Sequence, residues 1–167
     1  REKMAEPSEG NDVLATQVAV AALKYEILRH GIGSNIVFDK EKALSFEGAS
    51  GPYLQYTYAR IQSVLAKAAE AGVNIGTNLP PSEAYKVEKM IEEFPAAVQT
   101  ALVDRAPQVL VTYLTELASE FNSFYAQEKI ADVNDEFASY KAAVSVTVGN
   151  TLKQGLWALG IEAPERL

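Results

Sequence analysis

The last part of the chain carries a stripe of apolar residues at steps of three and four positions. Its members are Phe137, Tyr140, Val144, Val148, Leu152, Leu156 and Leu159. Side chains at such steps share one face of an α-helix, whereas a strand would alternate at every second position. Residues 144–148 are rich in β-branched side chains and would suit a strand on their own, but the helical register continues on both sides of them. We therefore predict a long helix that is capped by Gly160 and followed by the apolar Ile161.

The same periodicity recurs along the rest of the chain. It predicts helices at about residues 11–30, 38–44, 51–71, 82–94, 95–105 and 107–125, with loops at 73–81 and 132–135. Asn11 or Asp12 is expected to cap the first of these helices, and Ser82 the fourth. Helical spacing in the first is given by Val13, Val20, Leu23, Ile27 and Leu28. No segment alternates convincingly with period two, so the predicted fold class is all-α, a helical bundle with short connections.

The predicted helix that begins at Gly51-Pro52 has two distinct faces. Tyr53, Tyr56 and Arg60 share one face, and Lys67 continues it. The other face is apolar and consists of Leu54, Tyr58, Ile61 and Leu65. Aromatic rings beside a cation offer an unpaired nucleic acid base stacking, cation–π contact and a phosphate partner. The alternative is that both tyrosines pack under a neighbouring helix with their hydroxyl groups satisfied at its rim.

The balance of charge limits what such a face can bind. The chain has 22 acidic and 15 basic residues and a net charge of −7. General binders of polyanions usually carry a broad basic face, so this composition argues against that class. It leaves room for a local site that recognises a few unpaired bases by stacking and hydrogen bonds.

Length and composition favour one domain of ordinary size, since the chain has 167 residues of which 48% are hydrophobic. Without cysteine, disulfides and thiolate metal sites are excluded. No apolar run approaches the length of a transmembrane helix, and the first residues lack the apolar core of a secretory signal. The start at Arg1 rather than Met suggests a piece of a longer protein. We expect a flexible lead-in over residues 1–10, a helical domain over residues 11–167, and a cytoplasmic protein without a membrane partner.

Residues that catalysis or metal binding would require are largely missing from the sequence. His30 is the one histidine, and its place at the end of a predicted helix favours interaction with the helix dipole over catalysis. The sequence has no Walker A motif, no G-x-G-x-x-G and no G-x-S-x-G turn. Acidic pairs such as Glu116 and Glu120 are typical of solvated helix faces, and a di-metal bundle would need Glu-x-x-His motifs. We expect no catalytic residue, metal site or cofactor in this chain.

Four stretches occur in an order and spacing that one known family shares. They are residues 38–62 with Gly51-Pro52-Tyr53-Leu54-Gln55-Tyr56 and Ala59-Arg60, then Asn122-Ser123-Phe124-Tyr125, then Leu156-Trp157-Ala158-Leu159-Gly160-Ile161, and the end Ala163-Pro164-Glu165-Arg166-Leu167. By these stretches the chain resembles the C-terminal, anticodon-binding (DALR-type) region of class I arginyl-tRNA synthetases, over roughly residues 11–167. The first stretch is close to a family signature, and the other three support it.

The resemblance implies a helical bundle of the class I synthetase anticodon-binding type, which grips the anticodon loop of an arginine tRNA. It implies that Tyr53 and Tyr56 stack on or flank unpaired bases and that Arg60 contacts a base edge or a phosphate. It also places Lys129 and the final residue, Leu167, near the same loop, although the family usually ends in Met.

The catalytic sequences of that family are absent. Its His-Ile-Gly-His signature cannot occur with one histidine, and the Lys-Met-Ser-Lys loop is not here. The resemblance therefore implies a fragment that neither adenylates arginine nor charges tRNA alone. The parent enzyme would use ATP with Mg²⁺ and would supply a catalytic domain as a partner, with residues 11–30 as the candidate packing surface. An alternative is a non-catalytic, synthetase-derived bundle that binds proteins, because Tyr and Arg also dominate protein interfaces.

Overall fold

The computed structural model describes residues 9–77 and 79–167. Over these ranges the chain is all-α, as predicted, with seven helices and no strand. The helices are α1 (Glu9–Leu28), α2 (Lys40–Ala43), α3 (Gly51–Glu70), α4 (Lys86–Glu92), α5 (Phe94–Val103), α6 (Pro107–Gln127) and α7 (Ala138–Ala158). Residues 1–8 of the predicted lead-in lie outside the described residues. Its last two residues, 9 and 10, belong to α1.

Local sequence signals determine both ends of α3 and the end of α7. The hydroxyl oxygen of Ser50 accepts a hydrogen bond from the backbone N–H of Tyr53 at 3.0 Å, which caps the first turn of α3. The helix ends before Gly72, whose φ of 85° is the left-handed conformation that glycine adopts without strain. At the end of α7, the N–H of Ile161 donates to the carbonyl of Leu156 at 2.8 Å, as in a glycine-capped helix end. These boundaries confirm the predictions.

Two predicted helix starts are wrong. Helix α4 begins at Lys86 rather than just after Ser82, because the side chain of Glu88 accepts from the N–H of Tyr85 at 2.8 Å and closes the first turn there. Helix α1 begins at Glu9, before both predicted caps. The carbonyl of Asp12 accepts from the hydroxyl of Thr16 at 2.8 Å, which places Asp12 inside the helix.

The buried face of α1 differs from the apolar spacing in its sequence. Val13, Val20, Leu23 and Ile27 are exposed, whereas Ala21, Ala22 and Tyr25 are buried. The reason is the close approach of α3, since a Cβ atom on Gly51 would lie 2.2 Å from the carbonyl oxygen of Ala21. Small side chains are therefore needed on α1 at this crossing. Leu28, the last of the predicted apolar positions, is partly buried and packs against the core.

The core lies where α3, α6 and α7 meet. Its fully buried members include Leu54, Ile61, Leu114, Leu117, Phe121, Val148, Leu152 and Leu156. Burying each of these side chains contributes about 1.5–3 kcal/mol. Gly155 allows α7 to approach α6 closely, because a Cβ atom there would lie 2.4 Å from a methyl carbon of Leu114. The packing of these three helices leaves one face of α3 uncovered.

Candidate nucleic-acid interface

The uncovered face of α3 is the one that carries Tyr56 and Arg60. Leu54, Tyr58 and Ile61 on the opposite face are buried, as the sequence predicts. The side chain of Tyr56 is 38% exposed, and Arg60 is partly exposed one turn further along. A helix whose core face is already filled therefore presents an aromatic ring and a cation to solvent.

Arg60 is the centre of this surface. Its guanidinium donates to the side-chain oxygen of Asn122 at 2.5 Å and to the hydroxyl oxygen of Tyr56 at 3.2 Å. The guanidinium carbon also lies 4.7 Å from the ring centroid of Tyr56 and 5.7 Å from that of Tyr125. Both distances are within the range of cation–π interaction, so residues of α3 and α6 together fix the position of the charge.

Asn122 links the two helices beneath this surface. Its side-chain nitrogen donates to the hydroxyl oxygen of Tyr53 at 3.0 Å and to that of Thr57 at 3.1 Å. Tyr53 is partly buried and packs against the core, while Tyr56 projects further. The two tyrosines therefore differ: the hydroxyl oxygen of Tyr53 accepts a hydrogen bond from within the protein, and the ring of Tyr56 is accessible to a ligand.

Two adjoining hollows extend from Arg60 along the surface. The larger, about 1010 Å³, is lined by Tyr56, Arg60, Lys67 and Tyr125 and by the chain end at Leu167. The smaller, about 470 Å³, shares Lys67 and Tyr125 with it and also includes Lys129. Shared walls make the two hollows one continuous depression, and its volume exceeds that of a typical small-molecule site.

The five predicted site residues all border this region. Tyr56, Arg60 and Leu167 line the larger hollow, and Lys129 lines the smaller one. Tyr53 borders a third hollow that shares Tyr56 and Arg60. Residues far apart in the sequence thus converge on one surface.

Sequence reasoning missed two residues that organise the surface. Tyr125, whose side chain is 37% exposed, lines both hollows, and Asn122 holds Arg60. Phe124, the neighbour of Tyr125 in the sequence, is buried in the core. Both missed residues belong to the stretch Asn122-Ser123-Phe124-Tyr125. The resemblance of that stretch to the family was the signal that could have pointed to them.

A buried charge cluster supports the loop that carries Lys129. The ammonium of Lys141 lies 2.5 Å from a carboxylate oxygen of Glu128 and 2.6 Å from one of Asp135. The hydrogen bond from Lys141 holds the pKa of Asp135 below its usual value, against the opposing effect of burial. Burial acts to lower the pKa of Lys141, but the two carboxylates outweigh it and raise that pKa. One ammonium on α7 therefore holds both ends of residues 128–135.

Charges of both signs surround the depression. Arg60, Lys67 and Arg166 line the larger hollow together with Glu70 and Glu165. The cations supply partners for a few phosphates, and the carboxylates oppose indiscriminate binding of polyanions. The arrangement fits a local site for a short single-stranded segment.

The described part of the chain shows no cluster suited to a metal ion. Within residues 9–77 and 79–167 there is no group of three or more histidine, aspartate or glutamate side chains placed to hold one. His30 follows the end of α1, and its Nε2 atom lies 3.4 Å from a carboxylate oxygen of Glu26. Among the same residues, no helix combines the length and the apolar character needed to cross a bilayer.

Comparison with known proteins gives a consistent family. The family model described as the DALR anticodon binding domain matches residues 54–167. The chain is 39% identical over 171 residues to the arginine–tRNA ligase of Ignicoccus hospitalis and 37% identical over 165 residues to that of Phocaeicola vulgatus. These alignments cover 100% and 95% of this chain but 27% of each relative. The chain therefore spans about a quarter of the length of the curated relatives that it matches.

Solved structures show the same architecture. The arginyl-tRNA synthetase of Thermus thermophilus superposes with a TM-score of 0.80 at 30% identity, covering 99% of this chain and 29% of that one. The arginyl-tRNA synthetase of Plasmodium falciparum superposes with a TM-score of 0.77 at 23% identity and shows the same fold.

Proposed function

Because this chain belongs to the DALR anticodon-binding domain family, we propose that it binds the anticodon arm of an arginine tRNA as one part of an arginine–tRNA ligase. The curated relatives carry the name arginine–tRNA ligase, which supports arginine as the amino acid. In this proposal the fragment recognises tRNA in the cytoplasm, where translation takes place. The rest of the parent protein joins arginine to tRNA with ATP and Mg²⁺.

The observation that carries the proposal is the placement of Arg60 against the rings of Tyr56 and Tyr125 at the edge of a wide depression. An unpaired base stacks on an exposed aromatic ring, and a guanidinium beside it contacts a base edge or a phosphate. Lys67 and Lys129, which line the smaller hollow, offer ammonium groups to further phosphates of the same strand.

The test is binding of this chain to an arginine-tRNA anticodon stem-loop at about 50 mM and about 200 mM salt. A second stem-loop, with its middle anticodon base changed, serves as the control for specificity. We expect binding that weakens at higher salt and falls on the base change. Binding that depends on neither the salt concentration nor the anticodon base would contradict the proposal. If this chain binds neither RNA, the same assay is repeated on the longer protein. Binding by the longer protein would mean that its other parts supply most of the affinity, and no binding would mean that the anticodon arm is not recognised.

The exposed apolar side of α1 supports a second role, that of contact with the rest of the same protein. Val13, Val20, Leu23 and Ile27 lie about one or two helical turns apart on this side. Since the chain spans about a quarter of its relatives' length, we propose the remainder of the parent chain as the occupant. In the longer protein, Leu23→Lys should lower the temperature of unfolding, while the same change in this fragment should not. Equal effects in both would contradict this assignment.

The alternative of a protein-binding bundle predicts a different response at the α3 surface. An apolar protein interface lacks the steep salt dependence that phosphate contacts produce. The stem-loop assay therefore separates the two hypotheses as well.

A further inference from the structure

A separate hollow of about 360 Å³ borders the same Tyr56–Arg60 pair from another direction. Apart from that pair, its walls come from the turn before α3, from Tyr53 and from Asn122. The turn contributes Phe46, Glu47 and Gly48, residues to which neither the sequence motifs nor the family resemblance assigns a role. The larger hollow includes none of these turn residues.

Phe46 gives this hollow an accessible aromatic wall. Its side chain is 46% exposed, and its ring meets that of Tyr56 edge to face, with centroids 6.1 Å apart and an interplanar angle of 68°. This geometry is favourable for an aromatic pair, and the exposed fraction of Phe46 leaves part of its ring accessible for stacking. Phe46 thus extends the aromatic surface beyond Tyr56. It lines a different hollow from Tyr125, and Tyr56 borders both hollows.

Hydrogen bonds hold Phe46 in place. The hydroxyl of Ser45 donates to the carbonyl of Glu47 at 2.9 Å and accepts from the N–H of Glu47 at 3.1 Å. The hydroxyl of Ser50 donates to the carbonyl of Ser45, which ties the turn to the start of α3. Gly48 has a φ of 80°, a conformation that a residue with a side chain adopts only with strain. A ring presented by such a fixed turn loses little conformational freedom when a ligand binds.

The polar groups around the hollow match the edge of a nucleobase. The hydroxyl oxygens of Tyr53 and Tyr56 already accept hydrogen bonds from Asn122 and Arg60, so each phenol keeps its own proton to donate. The carboxylate of Glu47 makes no hydrogen bond or ion pair with the described part of the chain, and it offers acceptors alone. The hollow therefore combines a stacking face, two donors and one strong acceptor.

We propose that this hollow receives a second unpaired base of the bound RNA, adjacent to the base at the Tyr56–Arg60 surface and stacked on Phe46. The proposal rests on the RNA binding proposed above. Because a carboxylate accepts hydrogen bonds and cannot donate them, Glu47 favours a base with an exocyclic amine, such as cytosine, over uracil. Tyr56 and Arg60 form the wall between the two base positions.

The first test compares Phe46→Ala with Phe38→Ala in the stem-loop assay. The two phenylalanines are matched in exposure, at 46% and 47%, but Phe38 does not border the hollow. Phe46→Ala should weaken binding about five- to 150-fold, the range for one lost base–aromatic stack. Phe38→Ala should leave the affinity unchanged, and Phe46→Trp should retain it. Thermal unfolding of each variant confirms that the fold persists.

The second test uses Glu47→Gln with stem-loops that differ by one cytosine-to-uracil change at each loop position. Wild-type protein should discriminate at one loop position, and Phe38→Ala should leave that discrimination unchanged. Glu47→Gln should reduce it, because an amide can both donate and accept. If wild-type protein binds and Tyr56→Ala weakens binding while Phe46→Ala behaves like Phe38→Ala, this inference is overturned and the proposed function stands. If neither the wild-type chain nor the longer protein binds the RNA, both are overturned.

Discussion

At the scale of single residues, the interface depends on how the charge of Arg60 is shared. Asn122 takes one donor of the guanidinium and Tyr56 another, while two aromatic rings contact it. These partners keep the cation at the surface and still leave it able to contact RNA. The same network gives Tyr53 and Tyr56 different roles, because one hydroxyl is bound by Asn122 and the other by Arg60 itself.

Tyr56→Ala should separate binding from folding. Removal of this exposed ring should weaken stem-loop binding by about 1–3 kcal/mol, the range for a base–aromatic stack. The free energy of unfolding should change little, because the ring lies outside the core. Isothermal titration with RNA and urea unfolding measure the two quantities.

Tyr58→Ala, two positions along the same helix, is the control for that prediction. Tyr58 is buried, so its truncation should cost about 3–5 kcal/mol of stability. Should Tyr56→Ala unfold the protein to a similar degree, Tyr56 would be a core residue and its assignment to the interface would be wrong.

At the scale of helices, sequence alone predicts the elements whose ends are set locally. The cap at Ser50, the glycines Gly72 and Gly160 and the proline at position 107 each act within a few residues, so α3, α6 and α7 begin or end where expected. The buried side of α1 was not predictable in this way. Which side of α1 is buried depends on the close approach of α3 at Gly51. Nothing in the spacing of Val13, Val20 and Leu23 indicates that contact.

The candidate site divides along the same line. Residues within α3 share a face by helical geometry, so Tyr53, Tyr56 and Arg60 could be grouped from spacing. Asn122 lies 62 positions from Arg60, and a single sequence holds no physical signal for that pairing. The role of Phe46 likewise depends on a turn that only tertiary structure places beside Tyr56.

Gly51→Ala tests the crossing of α1 and α3. The added Cβ would lie 2.2 Å from the backbone oxygen of Ala21, which cannot move without displacing a helix. We expect a loss of about 3 kcal/mol or more in the free energy of unfolding, beyond the usual cost of overpacking a side chain. Urea unfolding measures it.

Gly76→Ala provides the comparison, because a Cβ there would meet nothing within 4 Å. It should leave the stability nearly unchanged. Similar stability of both variants would mean that α1 and α3 do not cross closely at this point.

At the scale of the whole molecule, the acidic composition and the buried ammonium of Lys141 make stability depend on pH. The hydrogen bond from Lys141 depresses the pKa of Asp135 below its unfolded value of 3.8. A depressed carboxyl pKa stabilises the fold above pH 3.8, and that contribution is lost as the pH falls through the lower folded value. Hydrogen bonds from the backbone, that of Lys42 first, lower the pKa of Asp39 and act in the same direction.

Asp135→Asn should therefore flatten the acid limb of the stability curve. As the pH falls from about 5 through 3.8 to the lower folded pKa of Asp135, the variant should lose less unfolding free energy than wild type, because it has no carboxyl group to protonate there. Denaturant unfolding at several pH values measures this difference. Equal slopes for the two proteins would show that Lys141 does not hold Asp135 in the folded state.

Lys141→Met should lower stability at neutral pH instead. Glu128 and Asp135 would then lie close together without their cation, at a cost of about 3 kcal/mol, the lower end of the range for breaking a buried pair. The lower end applies because both carboxylates keep part of their exposure to water.

The hydrogen bonds that Asn122 makes also bear on the time course of recognition. A guanidinium and two rings that are already aligned require little rearrangement when an RNA binds. The association rate is therefore not limited by a conformational change of this surface. The net charge of −7 repels a polyanion at long range, so close contacts rather than electrostatic steering must retain the RNA. Selectivity at this surface would then reside in how long each RNA stays bound, with the wrong loop leaving sooner than the right one.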